Sequence, residues 1–354
     1  MRNPLDSWRQ RQARRRYMPH ARTTKTGTIA KFSMVALVLI ILAAALLDMR
    51  RGGGAEADAV AHVRENAVDA LDLLVQAARS RRLVFLADVP SATAPKQFAA
   101  EAIERLATGP GLDLVVLDVS SDEQPFIDRY LATTPEDASI LMGRPGAIRE
   151  GDGASRAFVD VYRTVWRVNQ ELGAHRRVRI VAADPPGWPP ARATAPHDVA
   201  RMFGDRDGHM AEAVMQRALN REPNARVLFF VNGLHALKSG GGRVQTGGTR
   251  PVDVEWLAAR MVQRYPQDVY TILTDASPSR VVTADVATYR GTQLADAMRR
   301  AGVQPGSAFR GHEALDAVSR TPVRVVGTTG IDFTMEPHTA RFSDLADAYI
   351  YFGN

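Results

Sequence analysis

Behind four short apolar runs stand side chains that can exchange protons or bind a cation. Asp88 follows Leu83–Ala87, Asp118 follows Leu114–Leu117, Asp184 comes just after Val178–Ala182, and Asn232 and His235 follow Val227–Val231. If these runs are parallel strands, ligands bind beyond their carboxyl ends, and three carboxylates, an amide and an imidazole converge on one edge. That mixture suits general acid–base catalysis, or a divalent ion held by Asp88, Asp118 and His235. His235 is the strongest single candidate, as base or ligand, because a glycine-rich stretch able to admit or cover a ligand follows it. Arg206 and Asp207 open a helical pattern with Met210, Val214 and Ala218 on its apolar face, and Arg206 can pair with an edge carboxylate or an anionic substrate. Each residue also has a plainer role. A strand-end Asp commonly caps the next helix, Asp207 near a helix start complements the dipole, and a lone His can be a hydrogen-bonded edge residue. No pair of histidines has the His-x-x-x-His spacing, so a zinc site would draw one His from this edge, with His209 as an addition.

The elements that must carry these residues are an α/β alternation. Helical periodicity over Val60–Ala78, Phe98–Leu106, Gln124–Leu131, Phe158–Leu172, Arg206–Leu219 and Val254–Tyr265 separates the apolar runs, which continue with Val269–Leu273, Val323–Val326 and Ala348–Tyr351. Runs apolar throughout predict a mostly parallel β-sheet with helices on both faces, in one unit over residues 56–354. Thr133–Gly153 reads as a lid or insertion. Ser239–Pro251 reads as a loop, and no Gly-Lys-Ser/Thr follows its glycines, which removes a phosphate loop.

Charge is divided along the chain. Of the 354 residues, 1–31 hold nine basic side chains and one acid, a net of +8, whereas the whole carries +6, so residues 32–354 sum to −2. A slightly acidic globular part has no electrostatic footprint for nucleic acid. Between Lys31 and Asp48 the stretch Phe32–Leu47 is uncharged, and flanking Lys31, Arg50 and Arg51 can snorkel to lengthen it toward a span. The sequence therefore predicts a basic cytoplasmic tail (1–31), a transmembrane signal anchor (32–49), a linker (50–55) and an extracytoplasmic α/β domain (56–354). The excess of positive charge before the apolar stretch puts the N-terminus inside. A cleaved signal peptide is the competing reading, against which stands the length of the segment before the apolar stretch. The partners expected are the membrane and a small-molecule ligand. Cysteine is absent, which excludes disulfides, thiolate metal sites and a cysteine nucleophile.

The order of motifs resembles the superfamily of erythromycin esterases, ChaN-like haem-uptake proteins and Tiki-type proteases. The family's opening Gly-Glu-x-x-His falls on Ala87-Asp88-Val89-Pro90-Ser91, its second-strand Glu on Asp118, its Arg-Asp-x-x-Met-Ala on Arg206–Ala211, and its later strand ending in an Asn or Gly followed by His on Asn232-Gly233-Leu234-His235. Asp344–Tyr351 is similar to its closing Asp and apolar strand. The resemblance implies a hydrolase, esterase or metal-dependent, with His235, Asp88, Asp118 and Arg206 catalytic and Ser91, Asp184, Asp207 and Asn232 contacting substrate. Ser91 stands where the family has a catalytic or metal-site His and cannot replace it unaided. The alternatives left open are a hydrolase whose chemistry has moved to Asp88, Asp118 and His235, and a non-catalytic binder of haem or another small ligand. A haem would need an axial donor, for which His235, His209 and Tyr349 are candidates.

Overall fold

Strand residues of alternating parity bury themselves on opposite faces of a central sheet, as the period of two requires. In the computed structural model, Leu83, Phe85 and Ala87 enter one core layer, while Val84 and Leu86 enter the other. The structure describes residue 54 and residues 57–89, 92–141, 153–173, 176–189, 194–239, 241–246, 250–274, 292–316, 324–326, 331–335 and 341–353. The basic tail, the apolar stretch 32–47 and most of the linker lie outside the described residues. Among the described residues no helix is long and apolar enough to cross a membrane.

The strands are β1 (Val68–Asp69), β2 (Leu83–Asp88), β3 (Leu114–Ser120), β4 (Arg179–Asp184), β5 (Val227–Asn232), β6 (Gly241–Thr246), β7 (Val252–Glu255), β8 (Val269–Thr274), β9 (Ser307–Arg310), β10 (Arg324–Val326), β11 (Ile331–Met335) and β12 (Ala348–Tyr351). Eight form one sheet in the order β1-β9-β12-β8-β2-β5-β3-β4. From β12 to β4 every pairing is parallel, and at one rim β9 alone is reversed, antiparallel to both β12 and β1. The expected α/β class with a mostly parallel sheet and helices on both faces is what the chain adopts. Helices Ala70–Ser80, Ala94–Thr108 and Gly153–Glu171 cover one face, whose core includes Leu74, Ile103, Tyr162 and Phe230. Helices Pro196–Val214, Leu257–Arg264 and Thr292–Ala301 cover the other, where the rings of Phe85 and Phe229 stack at 4.0 Å.

Three expectations are corrected. The periodicity over Val60–Ala78 is two helices, 57–66 and Ala70–Ser80, separated by β1 at the sheet rim. Ala59 and Val63 pack in one layer, Leu73 and Leu74 in the other, so the chain crosses from face to face there. Asp69 restarts the helix by accepting the Asp72 N–H at 2.9 Å. The second correction concerns the helix that carries Arg206 and Asp207. It begins at Pro196, whose ring suits the first helical turn, so both residues sit well inside it and Asp207 owes nothing to the dipole of its start. Third, the glycine-rich stretch after Ser239 is not a loop throughout. Its β6 pairs with β11 and β7 in a four-stranded antiparallel sheet of order β10-β11-β6-β7, and Val252–Glu255 is strand rather than helix start.

That small sheet seats against the Pro196–Val214 helix at a glycine. A Cβ at Gly204 would collide with Cγ1 of Val252, a β-branched side chain stiff at χ1. Gly204→Ala is expected to destabilise by about 1–3 kcal/mol through overpacking, although alanine is about 1 kcal/mol the better helix former. Urea denaturation of the full chain checks this; an unchanged or raised midpoint would mean that β7 does not press on the helix.

At its far rim the large sheet ends on β4, whose outward backbone groups are taken by side chains. Asn169 receives the Val178 N–H at 2.7 Å and donates to the Val178 carbonyl at 2.8 Å. Gln124 donates to the Ile180 carbonyl at 2.8 Å and accepts the Ala182 N–H at 2.9 Å. Two amides thus replace a missing strand, which blunts an edge that would otherwise invite another chain.

Candidate functional site

All the parallel strands end on the same edge, yet their polar termini divide between the two layers. Asp88 shares the parity of Val84 and Leu86, and it meets Lys96 from the first turn of the Ala94–Thr108 helix. Lys96 Nζ lies 2.8 Å from Asp88 Oδ1 and 3.0 Å from the carbonyls of both Val89 and Ala92, so its three donors all have acceptors. Both side chains are buried, at 4% and 6% exposure. Burial pushes the Asp88 carboxyl up to about 6, against the pull of the Lys96 ammonium. Sequence reasoning missed Lys96, although a signal was present. A cation in the first turn of a helix opposes the dipole, and a buried carboxylate partner is one way to offset that.

On the other layer Asp118 and Asp184 meet Arg206. Its Nε and Nη2 grip the two oxygens of Asp184 at 2.6 and 2.8 Å, a bidentate pair, and Nη2 stands 3.7 Å from Asp118 Oδ2. The guanidinium lies over the Trp188 ring, 4.2 Å from its centroid, and Phe203 meets the same indole edge-on. Asp118 accepts the Asn232 N–H at 3.1 Å, which ties the ends of β3 and β5 together. Burial raises the Asp118 carboxyl above its ordinary range; Arg206 opposes the shift, Asp184 reinforces it, and His235 and the Asn232 N–H oppose it. Burial also disfavours the Arg206 cation, but the Asp184 carboxylate outweighs this and holds its pKa above the usual value. Nothing in the sequence singled out Trp188.

Beside this cluster Asp207 and His235 form a buried pair. Asp207 Oδ1 is 2.7 Å from His235 Nδ1 and also accepts the Leu257 N–H at 2.6 Å. The imidazole carries its proton on Nδ1 by this hydrogen-bond logic, which leaves Nε2 as the basic nitrogen. A tight turn delivers the ring to this place. Asn232 Oδ1 accepts the Leu234 N–H at 3.1 Å, the Asn232 carbonyl accepts the His235 N–H at 2.9 Å, and Gly233 N–H donates to the Asp88 carbonyl at 3.1 Å. The Trp256 ring meets His235 edge-on, with centroids 6.5 Å apart.

The structure thus brings Asp118, Asp184 and Arg206 together, joins Asp207 to His235, and sets Asp88 with Lys96 on the opposite layer. Asn232 serves with its backbone and in its own turn, and Ser91 lies outside the described residues. Among the described residues no group of three His, Asp or Glu could hold a metal ion. The physical reason is that Lys96, Arg206 and the Asn232 N–H already occupy the carboxylates proposed as ligands, so Asp88, Asp118 and His235 do not fit a shared cation. Tyr349, a candidate haem donor, is fully buried in β12 with its ring against Phe342 and has no open face.

No protein-family model matches the chain, and no curated protein matches its sequence. Solved structures do match it. A Bacillus cereus protein is 10% identical over 84% of this chain and 97% of its own, with a TM-score of 0.56. A mutant of the erythromycin esterase EreC in its open conformation is 11% identical over 81% and 96%, with a TM-score of 0.49. The type III effector HopBA1 is 13% identical over 60% and 85%, with a TM-score of 0.39. The likeness to the Bacillus cereus protein is one of fold alone.

Proposed function

We propose that the chain is a single-pass, membrane-anchored hydrolase of esterase-like fold in which His235 is the working base. The observation that supports this reading is the buried Asp207–His235 pair at the carboxyl edge of the sheet, with Nδ1 held and Nε2 left to take a proton. A carboxylate that orients an imidazole and stabilises the imidazolium formed during proton transfer is the arrangement general-base hydrolysis needs. In this proposal His235 Nε2 draws the proton from a water attacking an ester or amide carbonyl, then returns it to the leaving group. Asp184 and Trp188 hold Arg206 rigid, so that its guanidinium faces developing negative charge without having to reorganise.

The test is a screen of the full chain in detergent against ester and peptide substrates, with His235→Ala beside it. Hydrolysis lost in the variant supports the reading, and hydrolysis that survives the substitution removes it. If no substrate is cleaved and haemin titration gives a Soret shift, a ChaN-like ligand-binding role takes its place.

The proposed anchor is the uncharged stretch Phe32–Leu47. With +8 before it, the main unit lies outside the cytoplasm at the inner membrane. An alkaline phosphatase fused after Asn354 is expected to be active and a fluorescent protein fused there dark; the reverse pattern would invert the topology.

A further inference from the structure

A cavity of about 350 Å³ runs along the outer flank of β4, and Arg177, Arg179, Arg217 and Arg221 line it with Asp128. Two carboxylates stand against these four cations. The Asp128 carboxylate accepts from Gln124 at 2.8 Å, and Glu222 meets Arg179 at 2.9 Å. Arg217 is the informative one. It is half-buried, and its Nη1 donates to Gln124 Oε1 at 3.1 Å and to the Ala182 carbonyl at 3.2 Å, both neutral acceptors. Among the described residues no carboxylate forms an ion pair with it. The α-helix widens into a π-turn at Met215–Leu219, and such turns recur where a side chain must be re-aimed for function. A partly desolvated guanidinium without a counter-charge is costly, and a bound anion would offset that cost.

We propose that this cavity binds a small organic anion carrying two or more phosphate or carboxylate groups. Planar guanidinium forks match both groups bidentately, and the volume falls at the small-ligand end of known pockets, which start at about 300 Å³. An extended peptide is a poorer occupant, because Asn169, Gln124 and Arg217 already take the outward backbone groups of β4 that strand addition would use. The site lies on the flank of β4, whereas Asp184 and Arg206 lie at its carboxyl end, so it is separate from the His235 site.

Isothermal titration of the full chain in detergent tests this with two probes, pyrophosphate and citrate, each against sodium chloride at matched ionic strength. At least one probe is expected to bind in a one-to-one ratio, and the tighter of the two assigns phosphate or carboxylate. Arg177→Glu and Arg221→Glu change exposed side chains and leave the fold alone; each is expected to weaken binding roughly tenfold or more by removing a charge-assisted contact. Arg217→Gln should do the same. Failure of both probes to bind, binding reproduced by chloride, or affinities unchanged in all three variants would overturn the proposal.

Discussion

Lys96→Met is expected to destabilise the protein by about 3–5 kcal/mol at pH 8 and by much less at pH 5. Removing one partner of a buried ion pair leaves the other charge without compensation, and losses of about this size follow. Asp88 is that stranded charge, 5% exposed at the end of β2. Even with Lys96 in place its carboxyl titrates at about 6 rather than the ordinary 3.8. A folded-state value raised above the unfolded one means that the folded chain binds the proton more tightly. Stability from this group is therefore full below about pH 4 and declines as the pH rises through 6. Without the ammonium the carboxyl rises further, so the decline extends upward in pH and the deficit grows between pH 5 and 8. Urea melts at the two pH values measure it, and an equal loss at both would mean that Lys96 acts through its carbonyl contacts alone. The paired variant Asp88→Leu with Lys96→Met is expected to recover most of the loss, because an apolar pair needs no charge compensation.

The second large effect is on rate. His235→Ala is expected to lower kcat by about two to four orders of magnitude, the range a positioned base contributes. Asp207 allows orientation to be separated from charge. Its Oδ1 alone receives both the His235 and Leu257 N–H groups. An asparagine at this position can keep both contacts and lose only the negative charge, so Asp207→Asn should fall between wild type and His235→Ala. Asp207→Ala removes both and should approach His235→Ala, and the double variant should be no slower than His235→Ala. Steady-state kinetics decide: KM should stay nearly constant across the series while kcat falls. If Asp207→Asn and Asp207→Ala reduce kcat equally, orientation contributes nothing.

Much of this is legible in the residues alone. The parallel strands are read from continuous apolar runs, and the polar edge follows because Asp or Asn stands at the end of β2, β4 and β5 and inside the end of β3. What the sequence does not disclose is pairing between distant segments. Val244 finds Phe333 across the small sheet, and glycines around Val244 conceal its strand until that partner is known. Parity along β2 and β3 is visible, but which face each parity meets depends on the strand order, and this separates Asp88 from Asp118. The break at Val68–Asp69 is likewise set by the sheet rim, since the apolar period runs across it without a proline or glycine. Residues 196–205 do carry Val199, Ala200, Met202 and Phe203, but Gly204 and the charged run Asp205–Asp207 interrupt the pattern, so the sequence reading starts the helix at Arg206 although it begins at Pro196.

The strand order also has a consequence in time. β2 is made early but lies between β5 and β8, and β12, at Ala348–Tyr351, sits between β8 and β9 rather than at a rim. A ribosome delivering this chain in order would release Leu83 long before its partners Val227 and Val269, and the antiparallel rim of β9 and β1 can dock only once β12 has emerged. Non-local pairing of this kind delays folding. The block β2-β5-β3-β4 can assemble once Asn232 has emerged, whereas the half of the sheet from β12 to β1 must wait for the last strand, so the sheet closes from its β4 side.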